Sequence, residues 1–318
     1  MDRLGVIIPF LNEGDEVRAT LESLRATSGS EVDVYLVDDA SIDGYDYRRA
    51  ASDFGAHYVR HDVRRGVAAS RNEAIARCAS DFFVLLDAHM RFTSTTWSGQ
   101  LLDALRADRR AIWCGQTAVM WKDAEGHIIR PRRRTTYGAF IDFDMASWHV
   151  WWNYRDPAPG SDTADIPVVL GAVYATNKDY WARLGGLSGL RTYGMDEQLI
   201  STKAWLEGGR CRLLKNVVVE HLYRKHFPYP MDDYPTVYNS LLLSELFLEG
   251  EMQERFMDSL IRRKRRDTVV RAMEDIVALE AEIETQKQRL RAIQAQPFEA
   301  FVALNRKGEN DKRKGRKC

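Results

Sequence analysis

Five apolar residues in a row, Phe82-Phe83-Val84-Leu85-Leu86, followed at once by Asp87-Ala88-His89, set the terms on which this chain can fold. An apolar run of that length without alternation fits a strand covered on both faces, and such strands belong to parallel sheets sandwiched between helices. The polar residues come at its exit. Side chains two apart on a strand point to the same side, so Asp87 and His89 project together from the carboxyl edge, where open α/β sheets bind their ligands. A carboxylate oxygen and an imidazole nitrogen so placed are half of a site for a divalent cation, Mn²⁺ first and Mg²⁺ or Zn²⁺ after it. The competing reading is a helix cap beside a surface histidine.

The preceding segments follow the same grammar. Residues 4–10 read as a buried strand, Asn12-Glu13-Gly14-Asp15 as turn and cap of a helix to about residue 25, and 32–37 as a strand running into Asp38-Asp39-Ala40-Ser41. Residues 56–60 make a third strand, and Arg64-Arg65-Gly66-Val67 introduces a helix over 68–78. Strand and helix alternate, which specifies a mostly parallel sheet with helices on its faces. Asp38 and Asp39 stand where a ribose or base is met, or else they cap the next turn. Two arginines and a glycine ahead of a helix N-terminus form an anion-binding corner. Arg71, within that helix, reads equally well as a surface residue.

Further on, 97–107 reads as a helix and 111–121 as a strand that turns at Asp123-Ala124-Glu125-Gly126 into a hairpin with 127–129. Residues 131–167 are irregular and rich in arginine and aromatics; Trp148, Trp151, Trp152 and Tyr154 there suit a substrate loop or a satellite core under it. A buried strand returns over 166–175, where Gly171 permits close approach of a ligand, and Asn177 caps a helix over 178–183. Tyr193-Gly194-Met195-Asp196-Glu197 precedes a helix to residue 207, with Asp196 as its cap, as an acid aimed into the site, or as both. The last strand, 212–219, delivers Glu220-His221, a histidine at a second strand's carboxyl end.

Composition narrows the partners. Lys and Arg number 46 and Asp and Glu 46, so no global field attracts nucleic acid or anionic membrane. No apolar run approaches a membrane span of roughly 20 residues, and the first strand starts too early for a signal peptide, so the expectation is a cytoplasmic protein with no membrane partner. Four cysteines without paired metal spacing fit a reducing compartment.

With these motifs in order, residues 5–229 resemble the polypeptide N-acetylgalactosaminyltransferases and the wider GT-A glycosyltransferases, without that family's membrane anchor, stem or lectin domain. The resemblance implies a Rossmann-like GT-A fold, a UDP-sugar donor, and Mn²⁺, or Mg²⁺ in its place, held by Asp87, His89 and His221. It carries nucleotide contacts onto Asp38 or Asp39 and Arg64, other donor contacts onto Pro9, Ala88, Gly171, Ala172 and Tyr193, and diphosphate and loop contacts onto Arg224 and Tyr229. Catalytic roles fall on Asp196, Glu197 and Arg224. It favours retention of anomeric configuration; in an inverting reaction Asp196 would be the base. The acceptor it implies is a peptide Ser or Thr hydroxyl, met by the aromatic segment 148–154. Leu11, Tyr193 and Asp196 replace the family's histidine, tryptophan and glutamate, which leaves the sugar open between a hexose and a HexNAc. The alternatives are a hydroxymethylated pyrimidine of DNA as acceptor, a nucleotidyltransferase, for which a glycine-rich loop after the first strand is missing, and a non-catalytic UDP-sugar-binding scaffold.

Beyond residue 229 the resemblance ends. Helices are expected over 236–249, 251–261 and 267–295; in the last, Val269, Ala272, Ile276, Leu279, Ile283, Gln286, Leu290 and Ile293 recur three and four apart. That seam suits a coiled-coil homodimer or a helix laid along its own chain. The expected division is a catalytic domain over 1–234, a helical extension over 235–296, and a basic disordered tail over 297–318, with basic clusters at 262–266 and 312–317.

Overall fold

The computed structural model describes residues 2–131, 135–224 and 226–315, with side chains through Arg306. Its first half is β1 (Leu4–Phe10), α1 (Asp15–Thr27), β2 (Val32–Asp38), α2 (Tyr47–Phe54), β3 (His57–Arg60), α3 (Val67–Arg77) and β4 (Phe82–Leu86). β1 lies between β2 and β4 and is parallel to both, with β3 parallel outside β2. Every residue of β1 and β4 is buried. Alternation divides them between two cores: Ile7, Phe83 and Leu85 face one side of the sheet, Val6, Ile8, Val84 and Leu86 the other.

The second half is mixed. It comprises β5 (Met90–Phe92), α4 (Trp97–Ala107), β6 (Ala111–Lys122), β7 (Ile128–Ile129), β8 (Ala139–Ile141), β9 (Val150–Trp152), β10 (Thr163–Asp165), β11 (Val173–Asn177), α5 (Lys178–Leu184), α6 (Asp196–Leu206) and β12 (Arg210–Leu222). The sheet runs β10-β12-β6-β11-β4-β1-β2-β3, with β5 paired to β12 and β7 to β6. β11 is antiparallel to both neighbours. It also starts later than its apolar run suggests. Residues 166–170 leave the sheet to bridge β8 at Val168 and to meet α6, where the Val169 N–H donates to Ser201 Oγ at 3.1 Å. β12 instead runs past residue 219, because Val219, Glu220 and His221 pair with β6 on one side and β5 on the other. The stretch expected to be irregular holds the β8–β9 hairpin and β10.

Five helices finish the chain: α7 (Asp233–Phe247), α8 (Gly250–Arg263), α9 (Arg266–Ala278), α10 (Glu280–Ile293) and α11 (Phe298–Gly315). The single helix expected over 267–295 is broken at Leu279, whose φ of −109° and ψ of 19° are not helical. Its seam faces inward. Val269, Ala272, Ile283 and Leu290 are buried in the same core as Trp181 and Leu199, so these seam residues are covered by this chain itself. The reason is α7, buried all round along Val237, Tyr238, Leu241, Leu242 and Leu243, which must be covered on its outer side as well. The expected boundary at residue 234 therefore falls inside one continuous core. The tail is likewise anchored at its start. Phe301, Val302 and Asn305 of α11 are buried, and Asn305 Oδ1 accepts from the Ile141 N–H at 2.7 Å. The basic cluster at 312–317 lies outside the described side chains. Among the described residues, no helix is long and apolar enough to cross a membrane.

Two outcomes follow from this packing. A chain ending at Tyr234 is expected to show no cooperative thermal transition by circular dichroism, since it loses the cover of a shared core. Lys203 on α6 is buried, and its ammonium donates to Gly186 O at 2.9 Å. Burial, with Arg289 nearby, lowers its pKa to about 7. Between about 7 and about 10 the unfolded chain binds more protons than the folded one, so this group makes stability rise with pH across that window. Lys203→Met is expected to gain about 1–3 kcal/mol at pH 6.5, the charge penalty less the lost hydrogen bond, and to lose that gain near pH 10. Urea midpoints at the two pH values check it.

Candidate active site

β4 ends at Leu86, and the next three residues turn the chain into β5. Because β5 pairs antiparallel with β12, Met90 lies opposite His221 and the Leu222 N–H donates to His89 O at 3.1 Å. That register brings His89 Nε2 to 3.1 Å from His221 Nε2, and His221 Nε2 to 3.5 Å from Asp87 Oδ2. Ligand atoms of Asp87, His89 and His221 all lie within 4.8 Å of one another. Glu13, just past β1, fixes the tautomer. Its carboxylate accepts from His89 Nδ1–H at 3.2 Å, which leaves the Nε2 lone pair facing the cluster.

The electrostatics suit a cation. Burial alone would raise the Asp87 carboxyl, but the His221 hydrogen bond and the Arg71 and His89 charges bring it down to about 2. Burial lowers the pKa of His221, favouring the neutral imidazole that ligates. One carboxylate and two imidazoles are a donor set that fits a divalent ion of intermediate hardness.

Arg71 is buried at 2 % exposure, and its surface reading is overturned. α3 points it under the site. Its Nη2 donates to Asp87 Oδ1 at 3.1 Å and Gly171 O at 3.2 Å, and its Nη1 donates to Asp196. Burial opposes the charge, yet the surrounding oxygens of Tyr174, Asp196 and Asp87 hold the guanidinium pKa above its usual value. Asp196 is accordingly not the cap of α6. The capping position belongs to Met195, left-handed at φ 71°, and Asp196 is the first helical residue, turned inward to Arg71. Burial and the neighbouring Asp196 charge push the Glu197 carboxyl well above the usual carboxylate range. Gly171 passes beside it; a Cβ there would lie 3.0 Å from Glu197 Oε2.

The anion corner is built by Asp39. Its carboxylate accepts from Arg65 N at 2.7 Å, Gly66 N at 2.8 Å and His61 Nδ1 at 2.8 Å. Asp38 turns the other way, fully buried, where it accepts from Ser41 N at 2.7 Å and Tyr58 Oη at 2.8 Å and pairs with Arg60. Arg64 stacks on the Tyr229 ring at 4.9 Å, and Arg224 ion-pairs with Glu13. Apart from Asp38, all the residues singled out for metal, donor or catalysis line one cavity of about 500 Å³. Trp148 does not reach it: it is buried, and its Nε1 donates to Ser244 Oγ at 3.2 Å. Trp152 stands at the rim, edge-on to Tyr223 at 5.3 Å, and Trp151 and Tyr154 are exposed nearby in sequence. Glu13, seen in the sequence only as a turn residue, and Arg71, left open to a surface reading, are site residues that the sequence reading missed. For Glu13, spacing from the end of β1 was the available signal.

A parallel half-sheet joined to a mixed half, with Asp-x-His leaving the central strand and a histidine returning from a later one, defines the GT-A class of α/β domain. Residues 5–156 match the model of glycosyl transferase family 2. Human polypeptide N-acetylgalactosaminyltransferase 10 is 28% identical over 246 residues, 70% of this chain but 38% of its own length. Human polypeptide N-acetylgalactosaminyltransferase 15 is 28% identical over 234 residues, 70% of this chain and 36% of its own. This chain thus spans less than two fifths of the length of these relatives. The crystal structure of GalNAc-T7 with UDP, GalNAc and Mn²⁺ aligns with a TM-score of 0.75 over 95% of this chain and 56% of its own, at 18% identity, a likeness of fold. The chain contains a GT-A domain similar to that of the polypeptide N-acetylgalactosaminyltransferases.

The cluster geometry sets an expectation for metal binding. With Mn²⁺ as a paramagnetic probe, His221→Ala is expected to abolish tight binding, and Glu13→Gln, which loosens His89 without removing a ligand, to weaken it about 10–100-fold. Titration followed by electron paramagnetic resonance reads both.

Proposed function

We propose that this chain transfers a sugar from a UDP-sugar to a hydroxyl acceptor with the help of Mn²⁺. The observation that carries the reading is the meeting of Asp87, His89 and His221 at the floor of a cavity that also holds Arg64, Arg224 and Tyr229. The UDP and Mn²⁺ named with GalNAc-T7, and the family 2 match, support the donor and the metal.

In this reading the bond between the sugar's anomeric carbon and the diphosphate oxygen breaks, and a bond from that carbon to the acceptor oxygen forms. The cation, when bound, neutralises charge on the departing diphosphate. Arg224, now paired with Glu13, lies beside the cluster and adds a second positive charge to the same group. Asp39 holds the Arg65 and Gly66 amides in the corner before α3, and the Tyr229 ring under Arg64 offers a stacking surface.

The carboxyl groups bear on stereochemistry. An inverting reaction needs an ionised base facing the acceptor. Among the described residues of the cavity wall, Glu13 is held by His89 and Arg224, Asp39 by its loop, Asp87 by the cluster, and Asp196 by Arg71, while burial and the Asp196 charge disfavour ionisation of Glu197. That inventory favours retention, with the acceptor's proton passing to the departing phosphate on the same face.

For the acceptor, likeness to the polypeptide enzymes supports a Ser or Thr hydroxyl, with Trp152 and Tyr223 as an apolar rim for an extended chain. A hydroxymethylated pyrimidine of DNA is the second reading. It is favoured by exposed aromatics at 151, 152 and 154 that offer stacking faces, and by the exposed arginines 262, 263, 265 and 266.

The test incubates the protein with Mn²⁺ and a panel of UDP-sugars, and reads UDP release and mass shifts in peptide and hydroxymethylated DNA pools. Asp87→Asn and His221→Ala are expected to lower UDP release at least 100-fold, as chelation does in the wild type. Undiminished release in chelator overturns the metal role, and sugar found on nucleosides alone selects the second acceptor.

A further inference from the structure

The turn from Arg191 to Met195 forms part of the cavity wall in an unusual backbone: Thr192 at φ 47°, Gly194 at φ 89° and Met195 at φ 71°. Left-handed conformations at residues other than glycine cost free energy and persist only where surrounding contacts impose them. This turn presents Tyr193 to the cavity and leads directly into Asp196 and Glu197. Its other side touches the anion corner. Thr192 O accepts from the Val67 N–H at 2.8 Å, and Gly66 packs so closely that a Cβ would lie 2.3 Å from Thr192 Cα.

What imposes the turn comes from the C-terminal helices. Asn239 on α7 is fully buried. Its Nδ2 donates to Arg191 O at 2.9 Å, Tyr193 O at 3.0 Å and Gly194 O at 2.9 Å, and its Oδ1 accepts from the Arg191 N–H at 2.8 Å. One amide side chain therefore meets four backbone groups of one turn. Helix α9 adds a second hold, the pairing of the Arg191 guanidinium with Asp275 Oδ2 at 2.5 Å, and α7 a third, the Tyr238 ring 3.9 Å beneath that guanidinium. Thr236, three residues before Asn239 and one helical turn along α7, lines the cavity itself.

We infer that Asn239 is a positioning residue for the sugar-nucleotide pocket, and that α7 and α9 belong to the catalytic unit rather than to an appendage. The inference rests on the glycosyltransferase reading for its effect on turnover, but the anchoring itself is read without it. Asn239→Asp keeps the acceptor for Arg191 N–H and sets carboxylate oxygens against three carbonyls. In the full chain it is expected to speed amide hydrogen exchange over residues 192–197 at least tenfold, to raise KM for the UDP-sugar more than it lowers kcat, and to leave Mn²⁺ affinity within twofold. A purely structural role would instead loosen the fold and the metal site together.

Unchanged exchange at 192–197 and unchanged KM overturn the inference. Faster local exchange with intact Mn²⁺ binding, in a protein whose wild type turns over no donor, upholds the anchoring and sinks the transferase reading. If Asn239→Asp does not fold, Asp275→Asn decides: faster exchange at the turn supports the inference and no change defeats it.

Discussion

A single guanidinium holds the site together. Arg71 lies under it in a place water does not reach, and what keeps it there is the pair of carboxylates on either side, Asp87 after β4 and Asp196 at the start of α6. A buried unpaired charge is prohibitively expensive, and two carboxylates facing each other would repel; the cation between them solves both problems at once. The same group also donates to Gly171 O, so the end of the central strand, the turn before β11 and the first turn of α6 are spaced by one planar fork from α3. Glu197 follows from this arrangement. With Arg71 engaged by Asp196, burial and that neighbour's charge raise the Glu197 carboxyl well above the usual carboxylate range.

Much of this was legible in the residues, and the parts that were not have physical reasons. An uninterrupted apolar run of this length reads as a strand covered twice, and β4 bears that out, whereas its exit at Asp87 and His89 gained weight only with His221 and the other motifs in view. Arg71 was not legible, because a helix in an α/β fold has its face assigned by packing and an arginine's partners sit 16 and 125 residues away. Asp38 and Asp39 are adjacent and chemically identical, and only the alternation along β2 sends one to the core and the other to the wall. The tryptophans divide for a similar reason: Trp148 precedes β9 and drops among Phe143, Phe247 and Phe298, whereas Trp151 and Trp152 lie on β9 and are exposed.

The C-terminal helices show where periodicity stops being informative. Apolar residues three and four apart state that one face of a helix is covered, and they are silent about what covers it. Here the cover is α7 and the core behind it, and the break at Leu279 divides the expected helix into two. The same cluster reaches α11 through Phe298 and Phe301, so the last helix closes over the β8–β9 hairpin and Trp148.

The His89–His221 meeting has a further consequence, for the order in which the protein comes into being. The two imidazoles are 132 residues apart, and the stretch that matches glycosyl transferase family 2 ends at residue 156, so it contains two of the three clustered ligands and not the last. A chain emerging from its N-terminus exposes the segments of its parallel half-sheet first. The third ligand arrives only when β12 threads between β6 and β5. On the proposed metal reading, the cluster is complete only once the non-local half of the sheet has closed.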